Sequence, residues 1–247
     1  MSRSANRVAL TRAFVLHQRP FRDSSLIVEV FARDHGRLTV FAHAARRARS
    51  RFAALQPFCA LLMSWSGRGE APQLTAAEHA GASYLLPAAR LMSAFYLNEL
   101  LIKLLTRHDP HPELFDCYEA TLQRLAQPDQ TEAPLRQFEA RLLDYIGYGL
   151  NLTAEADTGR PVRGEAHYHF RPGVHGFVIA EPGSVGAIHG ELLCRLASGS
   201  SLQSDGELRQ ARTLMRAALD HCLEGRELAT RAVARSLHHY PRKERTG

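Results

Sequence analysis

The rhythm of apolar and polar positions changes once along this chain, near residue 80. Before that point the apolar runs are short and rich in β-formers. Ala13-Phe14-Val15-Leu16 is the first and Leu26-Ile27-Val28-Glu29-Val30-Phe31 the second. Asp34-His35-Gly36 supplies turn chemistry before Leu38-Thr39-Val40-Phe41-Ala42, a pattern that predicts a hairpin. Phe58 to Trp65 forms a fourth run, Ser66-Gly67-Arg68-Gly69 a turn, and Gln73-Leu74-Thr75 opens a fifth segment. Five short strands without an intervening helix predict a small barrel. The OB-fold is the commonest five-stranded barrel that binds oligonucleotides. An SH3-like barrel fits the pattern almost as well.

After residue 85 the apolar period becomes helical. Leu91, Phe95, Asn98/Glu99, Ile102 and Leu105 mark one helix, which ends near Arg107-His108-Asp109-Pro110. Leu114, Tyr118, Leu122 and Leu125 mark a second, closed by Pro128. Leu135, Phe138, Leu142 and Ile146 mark a third, which begins just after Pro134 and ends at Gly147 or Gly149. Residues 150–183 are dense in glycine, proline and histidine and read as irregular. Further helices are predicted at 185–198, 205–223 and 227–239. The fold class is therefore α+β, with a five-stranded OB-fold barrel over residues 1–82. A mainly α-helical domain over 83–247 follows, with a loop-rich insertion at 150–183.

Charge sharpens this picture. Residues 1–52 hold eleven arginines against Asp23, Glu29 and Asp34, a net of +8, whereas the rest of the chain carries 20 Lys+Arg against 22 Asp+Glu. Arg46, Arg47, Arg49 and Arg51 fall within six residues. A basic module on a near-neutral body suits a polyanion, since each neutralised phosphate releases condensed counterions. Only Lys103 and Lys243 among the 31 cationic residues are lysine, so nearly all of them can contact phosphate bidentately. No 18-residue apolar run and no secretory-type N-terminus is visible, so the expected compartment is the cytoplasm. Cys59, Cys117, Cys194 and Cys222 are far apart with no CxxC, which argues for reduced thiols rather than zinc or redox motifs.

The candidate chemistry follows from these patterns. Arg46, Arg47, Arg49 and Arg51 read as phosphate contacts from a barrel loop, against the plainer reading of a solvated arginine-rich loop. Arg37, just past a turn, and Arg12, Arg19 and Arg22 extend the patch. Phe14, Phe31 and Phe41 lie within apolar runs and read as core. Phe21 and Phe52 flank arginines, which leaves them open between core packing and base stacking. His167, His169 and His175 form the one metal-like cluster. It supports a rival reading, a metal-dependent hydrolase acting on nucleic acid, against that of a loop of exposed histidines. A further alternative is an RNA-binding barrel module. There is no GxxxxGK[ST], GxGxxG, GxSxG or HExxH motif, so nothing nominates nucleotide hydrolysis or another named catalysis.

Several segments carry a resemblance. Ala13 to Pro20, then Asp23-Ser24-Ser25-Leu26, His35-Gly36-Arg37, the basic run Ala44 to Arg51, Leu55-Gln56-Pro57-Phe58 and Ser66 to Glu70 lie in the N-terminal part. Tyr96-Leu97-Asn98-Glu99-Leu100-Leu101, Glu113-Leu114-Phe115, Leu135-Arg136-Gln137-Phe138-Glu139 with Leu142-Leu143, Gly147-Tyr148-Gly149 and Arg226-Glu227-Leu228 with Arg231 follow in order. Together they resemble the bacterial RecO recombination-mediator family. The resemblance implies an OB-fold N-terminal domain, a helical C-terminal domain and a non-catalytic role in recombinational DNA repair. It implies binding of single- and double-stranded DNA and annealing of complementary strands. It also implies loading of recombinase, with RecR as partner, onto DNA coated by single-stranded DNA-binding protein. No cofactor is implied, and the expected location is cytoplasmic and nucleoid-associated. Contact with the C-terminal tail of single-stranded DNA-binding protein is expected in the helical domain. Arg136, beside Leu135, Leu142 and Leu143, is the candidate for it, against the plainer reading of a helix pair with Glu139. The chain departs from the family in three places. It has no cysteine at 150–180, where many members carry a four-cysteine zinc site. It has Ala44 or Ala45 where a glycine is frequent, and Asp23 where glutamate is common.

Overall fold

The structure is a computed structural model, and it describes residues 7–127, 132–200, 202 and 204–239. Five strands open the chain: β1 (Arg7–Phe21), β2 (Ser25–Ala32), β3 (Gly36–Ala42), β4 (Cys59–Ser66) and β5 (Gln73–Ser83). They close into a barrel in the order β1-β2-β3-β5-β4. β1 is long enough to pair with β4 through its first half and with β2 through its second, and its registers shift at Val8/Thr11 and Val15/His17. Such bulges bend a strand around a barrel corner. The parallel contact of Phe41 with Gln73 joins β3 to β5. This closure gives the OB-type barrel of the sequence reading and decides against the SH3-like alternative.

The strands read as continuous apolar runs because both of their faces are covered. Ala13, Val15, Val28, Val30, Leu38, Val40, Leu61, Met63 and Trp65 fill the barrel. Phe14 and Phe31 point the other way and are equally buried. They meet Phe115 at 5.3 and 5.4 Å and Tyr118 at 5.1 and 6.3 Å between ring centroids. Those partners lie on α2 (Pro112–Leu125), which follows α1 (Ala88–Leu104). Asn98 of α1 is buried and donates to the Leu16 carbonyl at 2.9 Å while accepting from the Tyr118 hydroxyl at 2.6 Å. The last described helix, α6 (Ala229–His239), packs on α1. Glu99 takes its free N-terminal donors, the Ala229 and Thr230 amides at 2.7 and 2.9 Å and the Thr230 hydroxyl at 2.7 Å.

Among the described residues, those up to 126 and from 227 on pack as one compact unit and those between as a second. The sequence reading divides the chain at residue 82; here α1, α2 and α6 belong with the barrel. The second unit holds α3 (Glu132–Tyr145), α4 (Gly190–Ser198) and α5 (Asp205–Leu223). Leu135, Phe138 and Leu142 of α3 and Leu214, Met215 and Leu219 of α5 are buried where the two helices pack. The span read as irregular contains two paired strands, and a third lies at the start of the segment predicted as a helix over 185–198, which corrects both expectations. β6 (His167–Arg171), β7 (Gly176–Ala180) and β8 (Ile188–His189) pair in the order β7-β6-β8. Tyr168 and Phe177 form its buried face, and Tyr168 Oη accepts from the Arg163 amide at 3.0 Å.

Candidate nucleic-acid interface

The β1–β2 turn and the β3–β4 loop meet at one end of the barrel. The Arg46 amide donates to the Ser24 carbonyl at 2.8 Å, and the Ala44 amide to Ser25 Oγ at 3.4 Å. Further along the loop, Phe52 and Leu55 turn inward and join the barrel core, which anchors the loop at its apolar residues. Arg46, Arg47, Arg49 and Arg51 are left exposed between these anchors. Arg19 and Arg22 are exposed beside the adjoining turn. Among the described residues none of these six arginines has an ion-pair partner. The sequence holds no Asp or Glu between Asp34 and Glu70, so the β3–β4 loop brings no carboxylate of its own, and the adjoining turn brings one, the exposed Asp23. Arg51 lies over the Phe52 ring at 4.8 Å and Arg22 over Phe21 at 5.3 Å.

Ala44, Arg49 and Arg22 all have positive φ, at 56°, 61° and 51°. At Ala44 the backbone thus takes the left-handed conformation in the basic loop, so alanine carries strain that glycine would avoid.

Arg12, Arg33 and Arg37, by contrast, are paired with carboxylates within the molecule, which sets two of the nominated residues, Arg12 and Arg37, apart from the loop arginines. Arg37 is only 12% exposed; it pairs with Glu29 at 3.1 Å and donates to the Leu105 carbonyl at 3.2 Å. Burial pushes its pKa down, which Glu29 opposes and the neighbouring Arg107 charge assists. Arg107 also pairs with Glu29, at 2.9 Å. Arg12 Nη2 lies 2.6 Å from both carboxylate oxygens of Glu119. Arg33 binds Asp116 in a fork at 2.8 and 2.9 Å, whose hydrogen bonds hold the Asp116 carboxyl below its usual range. Arg12 and Arg37 therefore tie the barrel to the segments around α1 and α2, Arg37 from a nearly buried position and Arg12 with a side chain still 42% exposed.

Arg136 is corrected as well. Its side chain is 7% exposed and pairs with the buried Glu139 at 2.9 Å, so it is part of the interior and not a surface cation. The histidines are not brought together. His169 Nε2 meets Ser184 Oγ at 3.1 Å, His167 packs edge-on against His189 at 4.9 Å, and His175 stacks on Tyr148 at 4.9 Å. No group of three or more His, Cys, Asp or Glu among the described residues is placed to hold a metal ion. The four cysteines form no disulfide, and burial pushes the Cys222 thiol up to about 11, which keeps it protonated at neutral pH. Among the described residues no helix is long and apolar enough to cross a membrane.

Of the phenylalanines, Phe14, Phe31 and Phe52 are buried, whereas Phe21 and Phe41 are half-buried and form an edge-on pair at 5.5 Å. The sequence reading places Phe41 in the core. The available signal was alternation: Val40 and Ala42 face the barrel interior, so Phe41 faces out.

Comparison with known proteins agrees with this architecture. The sequence model described as "Recombination protein O N terminal" matches residues 7–82, and "Recombination protein O C terminal" matches 88–232. The DNA repair protein RecO of Alkalilimnicola ehrlichii is 48% identical over 243 residues, covering 97% of this chain and 96% of the relative. That of Methylococcus capsulatus is 44% identical over 232 residues, covering 94% and 95%. That of Azoarcus sp. is 40% identical over 236 residues, covering 94% and 97%.

Proposed function

Because this chain belongs to the recombination protein O family of DNA repair proteins, we propose that it is a non-catalytic mediator that binds single- and double-stranded DNA and anneals complementary strands. The observation that carries this reading is the split among its arginines. Those near α1 and α2 are consumed in ion pairs, while Arg19, Arg22, Arg46, Arg47, Arg49 and Arg51 stay exposed at one barrel end. A cationic surface of this kind lowers the repulsion between two phosphate backbones, so that bases of two strands pair at ordinary salt. RecR is the proposed partner in loading recombinase. The acidic tail of single-stranded DNA-binding protein is the proposed ligand of the helical region, at residues other than the buried Arg136. Its work lies at the nucleoid, in the cytoplasm.

The test is the annealing rate of two complementary oligonucleotides, followed by fluorescence quenching without any nucleotide present. Wild type is expected to accelerate pairing, and the quadruple variant Arg46→Ala, Arg47→Ala, Arg49→Ala, Arg51→Ala to lose most of that acceleration. Equal acceleration by both proteins overturns the assignment to this surface, and a requirement for ATP overturns the non-catalytic mechanism.

A further inference from the structure

The outer face of the barrel carries two aromatic groups that meet different fates. Phe14 and Phe31 are sealed under Phe115 and Tyr118. Phe21 and Phe41 stand further along the same sheet and are half-buried, with rings 5.5 Å apart at 87°. The register places them in a defined setting. Arg19 pairs with Ile27, and Ile27 with Phe41, so a cation, an aliphatic and an aromatic side chain form one row across β1, β2 and β3. Phe21 follows Arg19 on the same face of β1. The Arg22 guanidinium sits 5.3 Å from the Phe21 centroid, and His43 lies 6.4 Å from Phe41. The basic loop begins at the next residues. The aromatic pair thus adds a flat apolar surface to a cationic one, which attraction of phosphates alone does not use.

We infer that Phe21 and Phe41 are a base-stacking platform that makes this barrel end prefer single-stranded nucleic acid over duplex. The inference rests on the DNA-binding reading above and adds the recognition of bases to that of phosphates. A base in a single strand can turn a free face onto an aromatic ring, and every base has such a face, so the platform is blind to sequence. In a duplex those faces are already covered by neighbouring base pairs, and only the phosphates remain for the arginines. Stacking engages the face and leaves the Watson–Crick edge open. A strand held in this way stays available to its complement, which is what annealing needs.

Binding is measured by anisotropy with three labelled probes of one length: an oligo-dT strand, an abasic strand with the same backbone, and a duplex. Wild type is expected to bind oligo-dT roughly tenfold tighter than the abasic strand, the scale of one or two stacked bases. The double variant Phe21→Leu, Phe41→Leu keeps apolar bulk, and its fold is checked by circular dichroism. It is expected to bind both strands alike, at the wild-type abasic affinity, with the salt dependence and duplex affinity unchanged. Phe41→Trp is expected to retain the preference, which a merely structural role for ring volume does not explain. A wild type that binds both strands equally, or a double variant that keeps the preference, overturns the platform. Failure of the DNA-binding reading looks different: the quadruple arginine variant then keeps wild-type affinity for all three probes.

Discussion

Gly36 has φ +67°, and a Cβ there would lie 2.1 Å from the Asp109 carbonyl oxygen. Backbone cannot yield to a side chain at that distance, so Gly36→Ala is expected to cost about 3 kcal/mol or more, read as a lower midpoint of thermal unfolding. An unchanged midpoint would show that the segment after α1 does not dock on this hairpin. Ala44 makes the opposite case. Its φ of 56° is strained for alanine, and Ala44→Gly is expected to keep or raise stability by up to about 1 kcal/mol. The sequence reveals the turn at Gly36 but not the positive φ at Ala44. It does not reveal at first sight that Arg37 is spent internally. Yet once the hairpin register is known, Glu29 lies diagonally across from Arg37, opposite Thr39, and the ion pair follows. Glu119, which takes Arg12, is 107 residues away in sequence, and no local pattern announces it.

At the scale of elements, Asn98 and Glu99 stand side by side on α1 and do different work. Asn98 links β1 to α2, and Asn98→Ala removes two buried hydrogen bonds, the one donated to the Leu16 carbonyl and the one accepted from the Tyr118 hydroxyl. A loss of about 2–4 kcal/mol is expected, non-additive with Tyr118→Phe in a double-mutant cycle of thermal stability. Additive effects would deny the network. Glu99 is held below its ordinary pKa: burial pushes it up, but the Thr230 and Ala229 donors and Lys103 outweigh burial. Its contribution to stability is therefore complete above the unfolded value of 4.5 and fades as pH falls through the lower folded value. The stability gap between wild type and Glu99→Gln, about 1 kcal/mol at neutral pH, is expected to close in acid. A gap that widens in acid contradicts the anchoring of α6. Helices such as α2 and α5 are legible in sequence because they carry an apolar stripe, whereas α1 is apolar nearly all round and buries Ala94, Leu97, Leu100 and Leu101 rather than Leu91 and Phe95. The sheet β6-β7-β8 is not legible, because its strands are at most five residues long and the flanking glycines and prolines mask their alternation.

Across the whole molecule, charge is divided between the two compact units. Residues 127–226 carry ten Lys+Arg against thirteen Asp+Glu, so the surplus of positive charge lies with the barrel and the helices grouped with it. Within that unit the surplus is divided again, by ion pairs, into arginines that hold the fold and arginines that face solvent. The sequence shows the first division directly, as a count. The second needs the fold, because whether a carboxylate neutralises an arginine is a matter of tertiary position. The most direct test of this division is the dependence of single-strand affinity on salt, compared for two variants. Arg46→Ala, Arg47→Ala, Arg49→Ala, Arg51→Ala is expected to flatten the slope of log K against log salt by roughly 3, with about 0.7 lost per phosphate contact, at unchanged thermal stability. Arg12→Ala, Arg37→Ala is expected to leave the slope alone and lower thermal stability. Equal slopes for the wild type and the loop variant, or a flattened slope for the second variant, would contradict the account.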